Sequence, residues 1–149
     1  MFTIKDELLS MIRVAGVKVL DEQIQVENRG NPHKLTKLNG KIVVYTFSYE
    51  GQHLKIGKAG PKSAARVNSH HYDPDSSMSN LSKSILGDTD FELYALSKST
   101  VGEWIKNNTE RIDILIDYQL GIFILNFVEA YLHLKFQPKY EGYEGQRRK

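Results

Sequence analysis

The stretch KIVVYTFSY at residues 41–49 decides the fold class of this chain. Its β-branched and aromatic residues favour an extended strand. Glu50-Gly51-Gln52 follows as a short turn, and HLKIGK at residues 53–58 is typical of a returning strand. The two segments therefore predict a β-hairpin.

The residues before the hairpin predict a helix and a loop. Apolar residues in the segment 5–21 recur at nearly helical spacing, and Gly16 weakens or ends this helix. Residues 28–40, NRGNPHKLTKLNG, are rich in turn-forming residues. We therefore expect residues 1–40 to form an N-terminal helical extension and loop.

The residues after the hairpin predict several helices and one more strand. Pro61 suits the first position of a short helix, a second helix is expected at Leu81–Leu86, and a third begins near Val101. Residues 90–97, DFELYALS, alternate as a third strand would.

The most hydrophobic segment, residues 112–136, has helical periodicity and precedes Pro138. Together these elements predict an α/β (α+β) fold over residues 41–142, in which a small three-stranded, mostly antiparallel sheet is flanked by helices. Residues 143–149 are expected to form a basic tail.

The composition excludes several classes of site. A chain of 149 residues without cysteine fits one domain and has no thiolate nucleophile or thiolate metal site. Any metal must bind oxygen or imidazole ligands, which suits Mg²⁺ or Mn²⁺. The longest apolar stretch, residues 121–128, is too short to span a bilayer, and the N-terminus lacks the apolar core of a signal peptide. We therefore expect a cytoplasmic protein with no membrane partner.

The charge distribution is compatible with a nucleic-acid partner, although the net charge is only +2. Four basic residues and no acidic residue fall within the segment 55–66, and the chain ends in RRK at 147–149. Such clusters occur at phosphate-binding surfaces and also on ordinary solvated faces. The candidate nucleic-acid contacts are Lys58, Lys62, Arg147, Arg148 and Lys149.

Two short motifs of the hairpin carry a resemblance to a known family. VVY at residues 43–45 is followed, after nine residues, by KIG at residues 55–57. Arg66 stands nine residues after the second motif, and Glu129 lies in a helical segment later in the chain. In order and spacing these elements resemble the GIY-YIG nuclease family, and the lysine of KIG resembles the restriction-endonuclease and phage-type branches.

The resemblance implies a divalent-metal-dependent endonuclease that hydrolyses phosphodiester bonds in DNA, with RNA as an open alternative. It implies that Tyr45 activates the attacking water, that Arg66 stabilises the phosphoryl charge, and that Glu129 anchors Mg²⁺ (or Mn²⁺). Glu141 departs from the family pattern, because many members have an asparagine there.

The chemistry of these residue types agrees with those roles. A phenol has an unperturbed pKa near 10, so Tyr45 needs nearby cations to act as a base at neutral pH. Lys55 and His70 are the candidates to lower that pKa or to relay the proton. Arg66 and His70 are four residues apart and would share one face of a helix. His71 would point elsewhere on that helix and ranks below His70.

Glu129 lies among apolar residues, where a carboxylate needs a partner such as a divalent cation. Because no second ligand is evident, one metal ion is favoured over two. We expect Tyr45, Lys55, Arg66 and Glu129 to converge on one concave surface.

Other interpretations use the same residues. Tyr45 can be a core aromatic residue, and Lys55 can lie on the solvent face of its strand. The same fold can also serve as a non-catalytic nucleic-acid-binding module. A weaker third hypothesis is a protein-interaction domain that binds through the helix around Trp104.

Overall fold

The computed structural model describes residues 3–63, 67–77, 80–142 and 144–149, which form a mixed α+β structure. The helices are α1 (Ile4–Val14), α2 (Leu81–Leu86), α3 (Val101–Asn108) and α4 (Ile122–Phe136). The strands are β1 (Ile24–Asn28), β2 (Lys41–Tyr49), β3 (Gln52–Ala59) and β4 (Glu110–Asp117). Short 3₁₀ turns lie at Asp21–Gln23, His70–Tyr72, Thr89–Tyr94, Tyr118–Leu120 and Glu144–Gln146.

The four strands form one antiparallel sheet in the order β1-β4-β2-β3. The hairpin of β2 and β3 is confirmed, and its turn residues Glu50 and Gly51 both have positive φ, at 50° and 83°. Positive φ at both central residues gives a turn whose twist matches that of the flanking strands. A register shift after Phe47 leaves Leu54 as an extra residue in β3.

The prediction of three strands was wrong, because the sheet has four. The first additional strand, β1, lies within the segment predicted as a helical extension and loop, and it pairs with β4. Residues 90–97 do not form the predicted strand, since Thr89–Tyr94 is a 3₁₀ turn.

The strand β4 was missed because it occupies the start of the predicted 112–136 helix. Isoleucines at positions 112, 114 and 116 alternate with Arg111, Asp113 and Leu115, which is the period-two pattern of a strand. Gly121, at φ 88°, then separates the strand from α4. Only the later part of that segment is therefore helical.

Successive residues of a strand point to opposite faces, so the sheet has two separate cores. The α4 face is covered by α1 and α4, and its sheet residues are Ile24, Ile42, Val44, Ile56, Ile114 and Ile116. The α3 face is covered by α2 and α3, and its residues from the two central strands are Val43, Tyr45, Phe47 and Leu115. Among the described residues, no helix has the length and hydrophobicity required to cross a membrane.

Candidate functional site

Tyr45 lies on the α3 face of the central strand β2 and has 0% of its surface exposed. Its cross-strand partner on the edge strand β3 is Gly57. A Cβ atom at position 57 would lie 2.5 Å from the phenol oxygen and 2.7 Å from the ring carbon that carries it. The phenol therefore lies directly over Gly57, and the glycine of the KIG motif is required to make room for the tyrosine of the VVY motif.

The phenol oxygen of Tyr45 is hydrogen-bonded to Nε2 of His71, at 2.6 Å. The other ring nitrogen of His71, Nδ1, accepts a hydrogen bond of 3.1 Å from the backbone N–H of Leu81. In the neutral imidazole the proton must then lie on Nε2, so His71 donates to the oxygen of Tyr45. His71 is 1% exposed, which makes this a buried and oriented pair.

The sequence ranked His71 below His70, but the structure gives His71 the contact with Tyr45. Ranking by helical faces failed here because His70–Tyr72 is a 3₁₀ turn, in which the positions of side chains differ from those of an α-helix. His70 places its Nε2 atom 3.2 Å from the hydroxyl of Ser77. The predicted catalytic Arg66 lies outside the described residues.

Lys55 shares the α3 face with Tyr45, because it pairs with Phe47 across the hairpin. Its ammonium lies 3.6 Å from a carboxylate oxygen of Glu141, and its side chain is 12% exposed. Glu141 also bonds His133, and this hydrogen bond raises the pKa of His133. Lys55 is therefore engaged in an ion pair at the edge of the sheet.

Glu129 stands on α4, the helix that covers the face opposite to Tyr45. Its carboxylate lies 3.3 Å from the ammonium of Lys58, which also donates a 2.7 Å hydrogen bond to the side-chain oxygen of Asn126. Tyr45 and Lys55 share one face of the sheet, but Tyr45 is buried and Glu129 lies on the other side, so the expected convergence on one concave surface was wrong for Glu129.

The oxygen atoms near Glu129 determine whether this point can hold Mg²⁺. The described residues contain no group of three His, Asp or Glu side chains that could hold a metal ion. The oxygens of Asn126 and Glu129 nevertheless converge on one cation, the ammonium of Lys58. Two oxygen donors completed by waters and a substrate phosphate are compatible with Mg²⁺, provided that Lys58 moves away.

A buried ionic cluster lies on the α3 face beside Tyr45, and sequence reasoning missed it. Asp113, the cross-strand neighbour of Tyr45 on β4, accepts hydrogen bonds from Arg29 at 2.6 Å and from Arg111 at 2.8 Å. Arg29 is 2% exposed, and both Arg111 and Asp113 are 0% exposed. Burial alone would lower the pKa of Arg111, but its interactions with Asp113 and Tyr72 together outweigh this, and the pKa is raised.

The cluster continues through neutral groups. Arg111 donates to the phenol oxygen of Tyr72 at 2.8 Å, and Nδ1 of His33 lies 3.0 Å from that oxygen. Nε2 of His33 donates to the carbonyl of Thr109 at 2.7 Å, so Nδ1 is left to accept from Tyr72. Burial raises the pKa of Tyr72 and lowers the pKa of His33, which keeps both groups uncharged at neutral pH.

One sequence signal could have revealed the cluster. Arg111 and Asp113 are opposite charges two residues apart in a segment that alternates with isoleucine, so they share one face of a strand. The assignment of this segment to a helix concealed that pattern. Arg29 and His33 lay in the segment predicted as loop, where no partner was foreseen.

The basic tail is folded back onto the protein. The guanidinium of Arg147 donates to the carbonyls of Gln137, Pro138, Lys139 and Glu141, at 2.7 to 2.9 Å. Arg148 donates to the carbonyl of Leu134 at 2.6 Å. Of the predicted nucleic-acid contacts, Lys62, Arg148 and Lys149 are exposed and Lys58 is partly buried, whereas Arg147 holds the segment that follows α4.

Comparison with known proteins gives no relative of this chain. No protein-family model matches it, and no curated protein or solved structure shows significant similarity.

Proposed function

We propose that this chain is an endonuclease that hydrolyses phosphodiester bonds in DNA, with Tyr45 as the group that activates water. The observation that carries the proposal is the buried pair of Tyr45 and His71, in which a histidine N–H is directed at the phenol oxygen. The VVY and KIG motifs meet at this same point, because Tyr45 lies over Gly57.

The geometry of the pair suits a phenolate base. A hydrogen bond to the charged form of an acid favours that form, so the N–H of His71 favours the phenolate of Tyr45. A phenolate accepts a proton from water, and a general base contributes about 10²- to 10⁴-fold to the rate. Because Tyr45 is fully buried, the proposal requires the side chains that cover it to move so that water and substrate reach the phenol oxygen. His71 acts as a donor in this arrangement and does not take the proton of Tyr45.

Glu129 and Asn126 would be the oxygen donors for Mg²⁺ or Mn²⁺ in place of Lys58, and such an ion would neutralise charge on phosphate oxygens. This point lies on the face of the sheet opposite to Tyr45, so no step of the proposed hydrolysis is assigned to an ion there. Lys62 and Lys149, which are exposed, would add phosphate contacts that do not read sequence.

A second candidate function is the non-catalytic nucleic-acid-binding module. It is favoured by the complete burial of Tyr45 and by the position of Glu129 on the other face of the sheet. In this alternative, the Tyr45–His71 pair stabilises the core, and the lysines alone bind the nucleic acid.

Plasmid cleavage distinguishes the two candidates. The wild type is incubated with supercoiled DNA in Mg²⁺, in Mn²⁺ and in EDTA, beside Tyr45→Phe and the matched control Tyr118→Phe. Tyr118 is 57% exposed, so its variant also loses one phenol oxygen but leaves the buried pair intact. Metal-dependent cleavage that is lost only in Tyr45→Phe supports the nuclease, whereas salt-sensitive binding without cleavage in either metal supports the binding module.

A further inference from the structure

The buried cluster beside Tyr45 carries an unbalanced charge. The single carboxylate of Asp113 is shared by the guanidinium groups of Arg29 and Arg111, and the other two members, Tyr72 and His33, are uncharged. Two cations and one anion leave one net positive charge, sealed from solvent. Such a charge is costly in a protein interior unless it is paired and hydrogen-bonded.

The guanidinium of Arg111 lies against three aromatic rings, one of which is that of Tyr45. Its central carbon is 4.9 Å from the centroid of the Phe47 ring, 5.1 Å from that of Tyr45 and 5.9 Å from that of Tyr72. Its donors are fixed at the same time by Asp113 and by the phenol of Tyr72. The guanidinium is therefore held in place, and it presents a fixed positive charge to the ring of Tyr45.

We propose that Arg111 is a positioning residue for Tyr45, whose guanidinium fixes the phenol ring and favours its ionised, phenolate form. The consequence for cleavage rests on the proposed function, whereas the effect on the ionisation of Tyr45 does not. Among the described residues, the titratable groups that contact Tyr45 are His71, from the 3₁₀ turn, and Arg111, from β4. Asp113 is the cross-strand neighbour, and it is already shared with Arg29.

The cluster provides a matched pair of variants. Arg111→Met and Arg29→Met each remove one guanidinium and leave one neutral Arg–Asp pair, so neither leaves Asp113 unpaired. They differ in location, since the guanidinium of Arg111 lies against Tyr45 and that of Arg29 binds the carbonyl of Lys34 and the amide oxygen of Asn68. If either methionine variant does not fold, Arg111→Gln and Arg29→Gln replace the pair, and the same results are expected of them.

The measurement is the ionisation of Tyr45 itself. The ultraviolet absorbance of tyrosinate is followed against pH for the wild type and both variants, and the same protein with Tyr45→Phe is subtracted each time. Circular dichroism at every pH confirms that the protein is folded. We expect Arg111→Met to raise the ionisation midpoint of Tyr45 by about one pH unit or more, and Arg29→Met to leave it nearly unchanged.

Three results would overturn the proposal: equal midpoints in the wild type and Arg111→Met, equal shifts in both variants, or a folded wild type in which Tyr45 does not ionise below about pH 12. Cleavage gives a separate readout. Since the phenolate fraction at neutral pH falls about tenfold for each unit by which the midpoint rises, kcat falls accordingly in Arg111→Met, with DNA affinity unchanged. A wild type that never cleaves refutes the proposed function, while the titration still tests Arg111.

Discussion

The phenol oxygen of Tyr45 accepts a hydrogen bond from Nε2 of His71 at 2.6 Å, although the two residues are 26 positions apart. The backbone N–H of Leu81 fixes the tautomer of the imidazole from the other side. The direction of this bond matters because a donor to the phenol oxygen favours its negative form, whereas an acceptor would favour the neutral form.

The first prediction concerns which of two adjacent histidines acts on Tyr45. His71→Leu removes the oriented N–H, so we expect the cleavage rate to fall by about 100-fold. We also expect stability to fall by about 1–3 kcal/mol, because the buried N–H of Leu81 loses its acceptor. His70→Leu is the neighbouring control, and its losses should be smaller on both measures. Single-turnover cleavage and urea denaturation give the two quantities, and a larger effect at His70 would contradict the assignment.

The second prediction concerns the glycine under the phenol. Gly57→Ala places a Cβ atom 2.5 Å from the Tyr45 oxygen, so either the ring or the strand must move. We expect a loss of about 1–3 kcal/mol in the free energy of unfolding. Gly60→Ala is the matched control, since a Cβ there has no atom within 4 Å. Urea denaturation of both variants measures this loss. Equal stabilities of Gly57→Ala and Gly60→Ala would show that the ring of Tyr45 does not need the space above Gly57.

The third prediction is a pH dependence that originates at His33. Burial lowers the pKa of His33, so between the folded and unfolded pKa values the unfolded chain binds more protons than the folded one. The contribution of uncharged His33 to the free energy of unfolding is complete above about pH 6.5. This contribution is lost as the pH falls through the pKa that His33 has in the folded protein. His33→Gln should therefore lose less stability than the wild type on acidification. Urea midpoints between about pH 5 and 8 test this, and parallel curves would contradict it.

The fourth prediction concerns Arg147. Its guanidinium joins four backbone carbonyls of the segment after α4, so Arg147→Gln should lower stability by about 1–3 kcal/mol. Lys149→Gln, two residues later and exposed, should have almost no effect on stability. Thermal melting compares the two variants. Equal melting temperatures would mean that the carbonyl contacts contribute little.

The fifth prediction concerns the exposed lysines. Lys62→Gln combined with Lys149→Gln should weaken DNA binding uniformly across sequences and reduce the slope of log affinity against log salt by about one to two. The physical reason is that each phosphate contact releases condensed counterions. Fluorescence anisotropy with two unrelated duplexes at several salt concentrations measures the slope. An unchanged slope would place both lysines on an ordinary solvated face.

The sequence by itself determined the features that depend on neighbouring residues. The pattern of residues 41–58 predicted the hairpin because β-branched and aromatic residues and a short turn act locally. The VVY and KIG motifs, which contain Tyr45 and Gly57, lie on the two strands of this hairpin. A hairpin fixes which residues lie opposite each other, so the spacing of the two motifs is also a local feature of the sequence. Helix α2 was predicted at its observed bounds, and the structure shows that Asn80 caps it, since the Asn80 side chain accepts from the backbone N–H of Lys83.

Only the tertiary structure decided which side chains meet Tyr45. The contact with His71 depends on a 3₁₀ turn that Leu81 anchors, and periodicity does not encode that turn. The ion pair of Arg29 and Asp113 joins residues 84 positions apart, through a strand pairing that no local pattern specifies. Burial makes these contacts strong, because a charge or N–H removed from water must find its partner within the protein. The environment of Tyr45 is therefore a property of the packed sheet and helices, whereas its position on the hairpin is a property of the sequence.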